Sequence, residues 1–384
     1  MSRLLHLWKI WKTWRLLPPQ LRKLLRRRLP SNPLHNFSPE QAMQFGSTTE
    51  LNAEAATAAV RGTLLAQVTQ KTTRTTKTGK PYLEIVLADA AGTVSFKIWE
   101  TSPWYQDFDM LETSAGVAVT GTWQASQYGM ELGEAHVRPL TPEEEQQVLT
   151  GSPELVARQQ ADWECICSYV SEMKDPRLAA VCRLFLEQQE TRFRRAAAAR
   201  NFHHARRGGL VEHVSSVMRV AAALCSVYPD RLNRDLVMAG ALLHDCGKIV
   251  ENDYEEHSLE MPYTEPGELL SHIPMGIEII NKLWRDMMTP ERRAEWKTLV
   301  PGSEQVRLHL LHLVASHHGL LEFGSPVLPK VPEALILHHA DNVDAKMEMF
   351  RSAYESATPL SERVLQRKSP MQTNVVLPLP EVHG

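Results

Sequence analysis

The chain has 384 residues, of which 43% are hydrophobic and 23% are charged. This length suits about two globular domains, and this composition excludes a largely disordered chain. The five cysteines are an odd number and do not form the two closely spaced pairs that are typical of a zinc site. The formal net charge is −3, so any surface that binds a polyanion must be local.

Residues 1–30 are a basic segment unlike the rest of the chain. They contain nine Lys or Arg residues and no carboxylate, which leaves 33 basic and 45 acidic residues elsewhere. One helical stripe of this segment carries Leu4, Leu7, Trp8, Trp11 and Trp14. The pattern predicts an interfacial helix or a nucleic-acid-binding arm. The alternatives are a dispensable disordered tail or a mistaken start site upstream of Met43.

The sequence predicts neither a targeting segment nor a stable transmembrane span. Lys9 and Lys12 interrupt the apolar run that a signal peptide needs. Nowhere do about 18 apolar residues follow one another, as a membrane-spanning helix requires. The cysteines lie in predicted helices and suit a reducing compartment, so we expect a cytoplasmic protein.

Residues 31–56 are rich in Pro, Ser, Asn and Thr without periodicity, so they predict a linker. From residue 57 to residue 140 apolar residues alternate with polar ones, which predicts half-buried strands. The predicted strands are 60–68, 83–87, 94–98, 117–123 and 128–137. Five short strands with a helical interruption near residues 102–113 favour an OB-type barrel. An SH3-like barrel or an open antiparallel sheet is the alternative.

The connection between the first two predicted strands is a basic loop. It contains four cations and no carboxylate: Lys71, Arg74, Lys77 and Lys80. In OB folds this loop and the adjoining strands commonly hold single-stranded nucleic acid, because cations follow the phosphates and aromatic rings stack on the bases. We therefore predict a substrate-binding role for these four residues, with a merely solvated hairpin as the alternative.

Residues 155–355 predict an all-α domain, and residues 356–384 predict a tail on the surface or in disorder. Potential metal ligands recur on the inward faces or at the ends of five helices in this domain. They are His213, His244, Asp245, His272, His317, His318 and Asp341. His272 is predicted to share an inward helical stripe with Leu269 and Ile273. A buried hydrogen-bonded network would leave the two carboxylates in need of cations, so the set predicts a metal site.

The order of these residues resembles the HD superfamily of metal-dependent phosphohydrolases in its binuclear form. The resemblance implies that His213, His244, Asp245 and Asp341 hold one metal ion. It implies that Asp245, His272, His317 and His318 hold a second one. Imidazoles with two carboxylates suit manganese, iron, cobalt, nickel or zinc better than magnesium, and we expect manganese-type activation.

A more specific resemblance extends over the predicted barrel as well. The runs 202–205, 208–213, 243–248 and 338–342 (FHHA, GGLVEH, LHDCGK and HHADN) are similar to motifs of the YhaM family of 3′→5′ exoribonucleases. The resemblance implies an α+β multidomain protein, with a small OB-type barrel followed by an all-α HD domain. A nucleic-acid-binding barrel beside a phosphodiesterase centre predicts a single-stranded nucleic-acid substrate. The resemblance implies RNA, cleavage from the 3′ end and self-association, and DNA stays open as an alternative substrate.

Two ions in such a site activate a water for in-line attack on phosphorus and stabilise the leaving 3′-oxygen, so no side-chain nucleophile is required. The shared Asp245 is a predicted catalytic residue. Lys248 is the other one, because its ammonium group can contact the scissile phosphate, unless it is only a solvated cation at a helix end. His203 and His204 are predicted to contact the incoming strand, or to lie in an exposed cationic turn.

Two other functions fit the same residues. An HD enzyme can act on a small nucleotide or a cyclic dinucleotide, with the barrel as a regulator. A nucleic-acid-binding protein can carry a structural metal site whose ligands are saturated. Hydrolysis of oligonucleotides separates the first alternative from an exoribonuclease, and the effect of Asp245→Ala on hydrolysis separates the second.

Overall fold

The structure is a computed structural model that describes residues 43–126, 129–199, 204–357, 359–367, 369 and 371–380. Its first part is a β-sheet. The strands are β1 Met43–Gln44, β2 Val60–Thr75, β3 Pro81–Ala88, β4 Thr93–Trp99, β5 Gly116–Ser126 and β6 Gly129–Pro139. The basic segment at residues 1–30, with its predicted amphipathic stripe, lies outside the described residues.

The sheet closes on itself. Its order is β1-β2-β3-β4-β6-β5, and β5 also pairs with β2. β2 pairs with β5 from Val60 to Gln67 and with β3 from Gln67 to Thr75, with a register shift between Val68 and Gln70. A long strand that changes partner at a bulge turns the corner of a barrel. The predicted α+β layout of a barrel before a helical domain is confirmed.

Alternating apolar residues fill the barrel. Leu83, Ile85 and Leu87 of β3 are buried, and Phe96 of β4 packs edge-to-face on Trp123 with ring centroids 5.4 Å apart. The predicted helical interruption is a single short helix, α2 Tyr105–Asp109, which contributes the buried Phe108.

The structure differs from the linker predicted at residues 31–56. Within it, α1 Thr48–Thr57 begins after the N-cap Ser47 and buries Leu51 and Ala55 against the barrel. Asp89 accepts hydrogen bonds from the backbone and the hydroxyl of Thr48, at 2.5 and 2.8 Å. Two apolar residues four apart give almost no periodic signal, so the helix depends on tertiary contacts.

The rest of the chain is mainly helical. Its helices are α3 Pro142–Thr150, α4 Pro153–Ser171, α5 Pro176–Phe193, α6 Gly209–Val227, α7 Arg234–Leu243, α8 Lys248–Glu251, α9 Glu265–Leu270, α10 His272–Met287, α11 Pro290–Glu295, α12 Ser303–Ser316 and α13 Pro332–Ser356, with 3-10 turns at Trp296–Thr298 and Leu321–Phe323. A single hydrophobic core contains residues of helices α4, α5, α6, α7, α8, α10, α12 and α13.

Helix α6 runs through this core and carries His213. Within the described part of the chain it is the one helix that is long and apolar enough to cross a membrane. A buried core helix has the same length and composition, and 56% of the apolar window is buried inside the protein. The helix is therefore weak support for a membrane span.

The barrel and the helical region belong to one compact unit, residues 42–384. The amide of Gln67 on β2 joins them: it donates to the carbonyl of His257 at 3.0 Å and accepts from the backbone N–H of Leu259 at 2.6 Å. The Leu259 side chain packs among barrel residues that include Leu65 and Ala118. The loop between α8 and α9 is thus attached to the barrel.

The predicted tail at residues 356–384 has local structure where it is described. Two short strands, β7 Val364–Leu365 and β8 Val375–Val376, pair in antiparallel fashion. Leu365 and Val375 pack on Ala353 near the end of α13. This small hairpin covers the end of the last long helix.

Candidate metal centre

The seven predicted ligands come together where five helices meet. His213 lies in the second turn of α6, and His244 and Asp245 follow the end of α7. His317 and His318 follow the end of α12, and Asp341 lies in the middle of α13. The last ligand is His272, the first residue of α10.

The position of His272 corrects one detail of the prediction. Leu269 belongs to the preceding helix α9 and is 75% exposed, so it does not share an inward stripe with His272. Ser271, with φ of 57°, separates the two helices. A Cβ atom at Gly247 would lie 1.9 Å from the carbonyl oxygen of His272, so glycine is required for the chain after Asp245 to approach α10 this closely.

All five histidines use Nδ1 to hold the ring. The acceptors are Asp344 for His213, Ala241 for His244, Glu251 for His272, Val314 for His317 and Phe323 for His318, at 2.6–3.3 Å. Carboxylate and carbonyl oxygens only accept hydrogen bonds, so Nδ1 donates in each case. With Nδ1 as the donor, Nε2 of each neutral ring has a lone pair that can bind a cation.

The first group of ligand atoms surrounds the end of Asp341. Nε2 of His213 lies 3.2 Å from Nε2 of His244, 3.5 Å from Oδ2 of Asp245 and 3.3 Å from Oδ1 of Asp341. Ligands about 2.0–2.1 Å from one tetrahedral ion stand roughly 3.3 Å apart. The spacing of this group therefore fits one divalent ion.

The second group faces the other oxygen of Asp245. Oδ1 of Asp245 lies 3.5 Å from Nε2 of His272 and 3.7 Å from Nε2 of His317. These three atoms are buried without a hydrogen-bond partner. Ligand atoms of His272, His317 and His318 lie within 4.8 Å of one another. Buried polar atoms without partners are costly, and a second cation at this point would satisfy all three.

The pKa shifts of two ligand histidines show where the site favours positive charge. Burial alone would lower the pKa of His213, but its hydrogen bonds with Asp341 and Asp344 raise that pKa to about 10. In the metal-free protein a proton can thus stand in for an ion at this position. Burial and the neighbouring His244 and His318 instead hold the pKa of His317 well below its ordinary value, which keeps its ring neutral.

Lys248 is not the solvated cation of the alternative prediction. Its side chain is 13% exposed, and Nζ lies 3.5 Å from Oδ2 of Asp245 and donates to the carbonyl of Ala198 at 2.5 Å. Burial alone would lower the pKa of Lys248, but Asp245 and Glu251 raise it. Lys248 is thus a fixed positive charge beside the Asp245 carboxylate.

His204 lies behind the site instead of in front of it. It is 7% exposed, and its Nε2 lies 3.2 Å from the same Asp344 oxygen that holds His213. Its Nδ1 lies 3.5 Å from Glu212. This placement favours support of His213 over the predicted contact with the incoming strand. The other predicted strand contact, His203, lies outside the described residues.

The acidic residues that hold the histidines were not predicted from the sequence. Asp344 follows Asp341 by three positions on the same helix, and Glu251 closes the short helix that begins at Lys248. Spacing by three could have indicated that Asp344 shares a face with Asp341. Glu251 also accepts from the backbone N–H of His272 at 2.9 Å.

Two of the four cations predicted in the basic loop, Lys71 and Arg74, lie in strand β2 instead, and the loop itself begins after Thr75. Lys71 donates to the carbonyl of Asp109 at 2.6 Å, and Arg74 pairs with Glu84 at 2.5 Å. Lys77 and Lys80 are exposed near the tip. The loop therefore presents fewer available cations than its sequence suggests. The prediction of phosphate contact now rests on Lys77 and Lys80.

Comparison with known proteins agrees with this geometry. A family model described as "HD domain" matches residues 210–346. The chain is 35% identical over 289 residues to the 3′-5′ exoribonuclease YhaM of Geobacillus sp. (strain WCH70), covering 74% of this chain and 83% of that protein. It is 33% identical to the proteins of the same name from Bacillus subtilis (strain 168) and Oceanobacillus iheyensis, covering 74% and 76% of this chain and 86% of each relative.

Proposed function

The chain belongs to the YhaM family of 3′-5′ exoribonucleases, and from this membership we propose that it removes nucleotides from the 3′ end of single-stranded RNA. The reaction is metal-dependent hydrolysis of the terminal phosphodiester. The HD domain supports a divalent metal requirement. Single-stranded DNA is a second substrate to test, since the basic loop can follow either backbone.

The observation that carries the proposal is that the two oxygens of the Asp245 carboxylate face different pairs of histidines. One oxygen faces His213 and His244, and the other faces His272 and His317. This arrangement supports two ions that share one carboxylate. When bound, such ions supply an activated water and stabilise the charge on the leaving 3′-oxygen.

The protein's own groups would position the substrate for this step. Lys248 lines a cavity beside His272 and His318, so its fixed ammonium group can face a non-bridging phosphate oxygen there. Lys77 and Lys80 can follow the phosphates of the chain upstream. No serine, cysteine or lysine nucleophile is needed.

The test is degradation of a 5′-labelled single-stranded RNA in Mn²⁺, resolved at single-nucleotide resolution. The proposal expects a ladder that shortens from the 3′ end with the wild-type protein and intact RNA with Asp245→Asn. Asp253→Ala is the matched control, because Asp253 is an exposed carboxylate on the loop that follows α8. It should degrade RNA as the wild type does.

Other outcomes would point to the alternatives. Intact RNA with a wild-type protein that hydrolyses a small nucleotide would overturn the proposal in favour of nucleotide hydrolysis. Cleavage that persists in Asp245→Asn would show that the reaction does not depend on this site. Cleavage at internal positions would contradict the exonucleolytic assignment.

A further inference from the structure

A cavity of about 320 Å³ opens beside the second group of metal ligands. The residues that line it include His272, His318, Lys248, Tyr263 and Phe323. Its volume is at the small end of ligand pockets, roughly 300–1,000 Å³. This is space for about one nucleotide next to the position of the scissile phosphate.

Both aromatic residues of this cavity are exposed. Tyr263 is 40% exposed and Phe323 is 60% exposed. Exposed aromatic faces beside a polar site provide a surface for a ligand that is itself flat and partly apolar. Nucleic-acid bases have this character, and every base has a face that stacks on an aromatic ring.

The position of Phe323 is coupled to the metal centre. Its carbonyl oxygen accepts the Nδ1 hydrogen bond of His318 at 2.6 Å, so the bond that orients this ligand also fixes the turn that carries the ring. The turn is the 3-10 segment Leu321–Phe323, which ends at Gly324 with φ of 90°. The backbone that carries the ring is therefore held beside the metal ligands.

Tyr263 is coupled to the other side of the same centre. Its backbone forms a β-bridge with Asn252, the residue that follows α8. The next residue, Thr264, donates its backbone N–H to the carbonyl of Glu251 at 3.0 Å. The side chain of Glu251 holds His272. Two aromatic residues are thus tied by hydrogen bonds to two different predicted ligands.

We propose that this cavity receives the 3′-terminal nucleoside of the substrate, and that its base stacks on Phe323 and Tyr263. The inference rests on the proposed function and adds to it the residues that hold the reacting nucleotide. Recognition by stacking accepts any of the four bases, which suits an enzyme that must remove each nucleotide in turn.

The test combines removal of the aromatic ring from the protein with removal of the base from the ligand. Binding of 5′-AMP and of ribose 5-phosphate to the Mn²⁺-loaded protein is measured by calorimetry, for wild type and Phe323→Ala. One base–aromatic stack predicts about tenfold weaker binding of 5′-AMP to the variant, and unchanged binding of ribose 5-phosphate. Tyr263→Ala should act in the same direction.

Leu321→Ala is the matched control. Leu321 is 61% exposed in the same 3-10 turn but does not line the cavity. It should bind both ligands as the wild type does. Equally weakened binding of both ligands in Phe323→Ala would mean that the turn, not the stack, had been disturbed, and would overturn the proposal.

A kinetic cycle applies the same logic to RNA. Oligoribonucleotides with and without the 3′-terminal base are degraded by wild type and by Phe323→Ala. With the wild-type enzyme, the proposal expects removal of the 3′-terminal base to lower kcat/KM for the first cleavage about tenfold. With Phe323→Ala, removal of the same base should change kcat/KM little. A base removed from an internal position far from the end should give no such coupling.

This design separates the two proposals. If the wild-type protein leaves RNA intact, the proposed function fails. If RNA is shortened from its 3′ end but neither binding nor kinetics couples the base to Phe323 or Tyr263, the stacking inference alone is overturned.

Discussion

At the scale of single residues, the site consists of histidines whose rings are locked from behind. His213 is held by Asp344, which His204 also contacts, and Glu212 contacts His204 in turn. Arg206 pairs with Glu212 and lies 3.4 Å from Glu348. Because a carboxylate behind a ligating imidazole fixes its tautomer and raises its basicity, this chain of contacts prepares Nε2 of His213 for metal.

We expect Asp344→Ala to weaken Mn²⁺ binding about 10- to 100-fold, because His213 loses the acceptor that orients its ring. Asp344→Asn keeps an acceptor without the charge and should have a smaller effect. Metal titrations by calorimetry measure both affinities. Asp286→Ala removes an exposed carboxylate on α10 that pairs with Lys282, and it should bind metal normally. Unchanged affinity in Asp344→Ala would contradict the role of this residue.

Glu348 gives a prediction for acid stability. Burial alone would raise the pKa of Glu348, but the hydrogen bond from Arg351 and the nearby charge of His204 lower it from 4.5 to about 2. A pKa that is lower in the folded state contributes stability above the unfolded value. That stability is lost as the pH falls from about 4.5 toward 2.

The measurement is urea unfolding of wild type and Glu348→Gln at pH 6 and pH 3. The variant lacks the ionisable group, so the difference in unfolding free energy should shrink by about 2 kcal/mol on acidification. Contributions from titrating groups that do not interact with Glu348 cancel in this difference. An unchanged difference would mean that the carboxylate of Glu348 is no more stabilised in the folded state than in the unfolded one.

At the scale of elements, β2 has two different halves. From Val60 to Gln67 it pairs with β5 and is largely buried. Beyond the register shift it pairs with β3 instead, and its residues become more exposed. The β2–β3 hairpin therefore extends from the barrel and carries the basic loop at its tip. Since Lys71 and Arg74 have partners within the protein, the available charge is concentrated at Lys77 and Lys80.

The double variant Lys77→Ala, Lys80→Ala should bind single-stranded RNA more weakly at low salt. Removal of one cation from a phosphate should reduce the slope of log affinity against log salt concentration by about 0.7, so removal of two should reduce it by about 1.4. Fluorescence anisotropy at several salt concentrations measures the slope. Lys282→Ala, on helix α10, is the control and should leave the slope unchanged. Equal slopes for all three proteins would exclude phosphate contact by the loop tip.

At the scale of the whole molecule, one loop links the barrel to the metal centre. It follows α8, which begins at Lys248, and it is held by Gln67 from the barrel. Arg207 donates to the carbonyls of Glu255 and Ser258, both at 3.3 Å, which holds the loop against the helical region as well. The two halves of the protein are therefore expected to unfold together.

Gln67→Ala should lower the unfolding free energy by about 2 kcal/mol, because it leaves the buried N–H of Leu259 without its acceptor. It should also broaden the transition or divide it in two, since the hydrogen bonds of Gln67 no longer join the barrel to the helical region. Chemical and thermal unfolding measure both effects. Gln70→Ala on the same strand is the control, because Gln70 is exposed and its side chain donates only to its neighbour Thr72. A Gln67→Ala protein that unfolds like the control would contradict this coupling.

The sequence by itself was enough to predict the seven candidate ligands and the order of the two regions. Histidine and aspartate are chemically distinctive, and they recur at helix ends that Gly247 and Gly319 mark. Period-two alternation identified the strands because it depends only on which face is buried. Residues such as Leu51 and Ala55 gave too little periodicity to reveal α1.

Only the tertiary structure decided how the ligands are oriented and what surrounds them. Three of the five Nδ1 acceptors are backbone carbonyls, those of Ala241, Val314 and Phe323, and a carbonyl is the same in every residue. Such partners leave no trace in the sequence. The same holds for the groups that face the two oxygens of Asp245 and for the placement of aromatic residues beside His318 and His272. Both arise only because distant helices meet at one point.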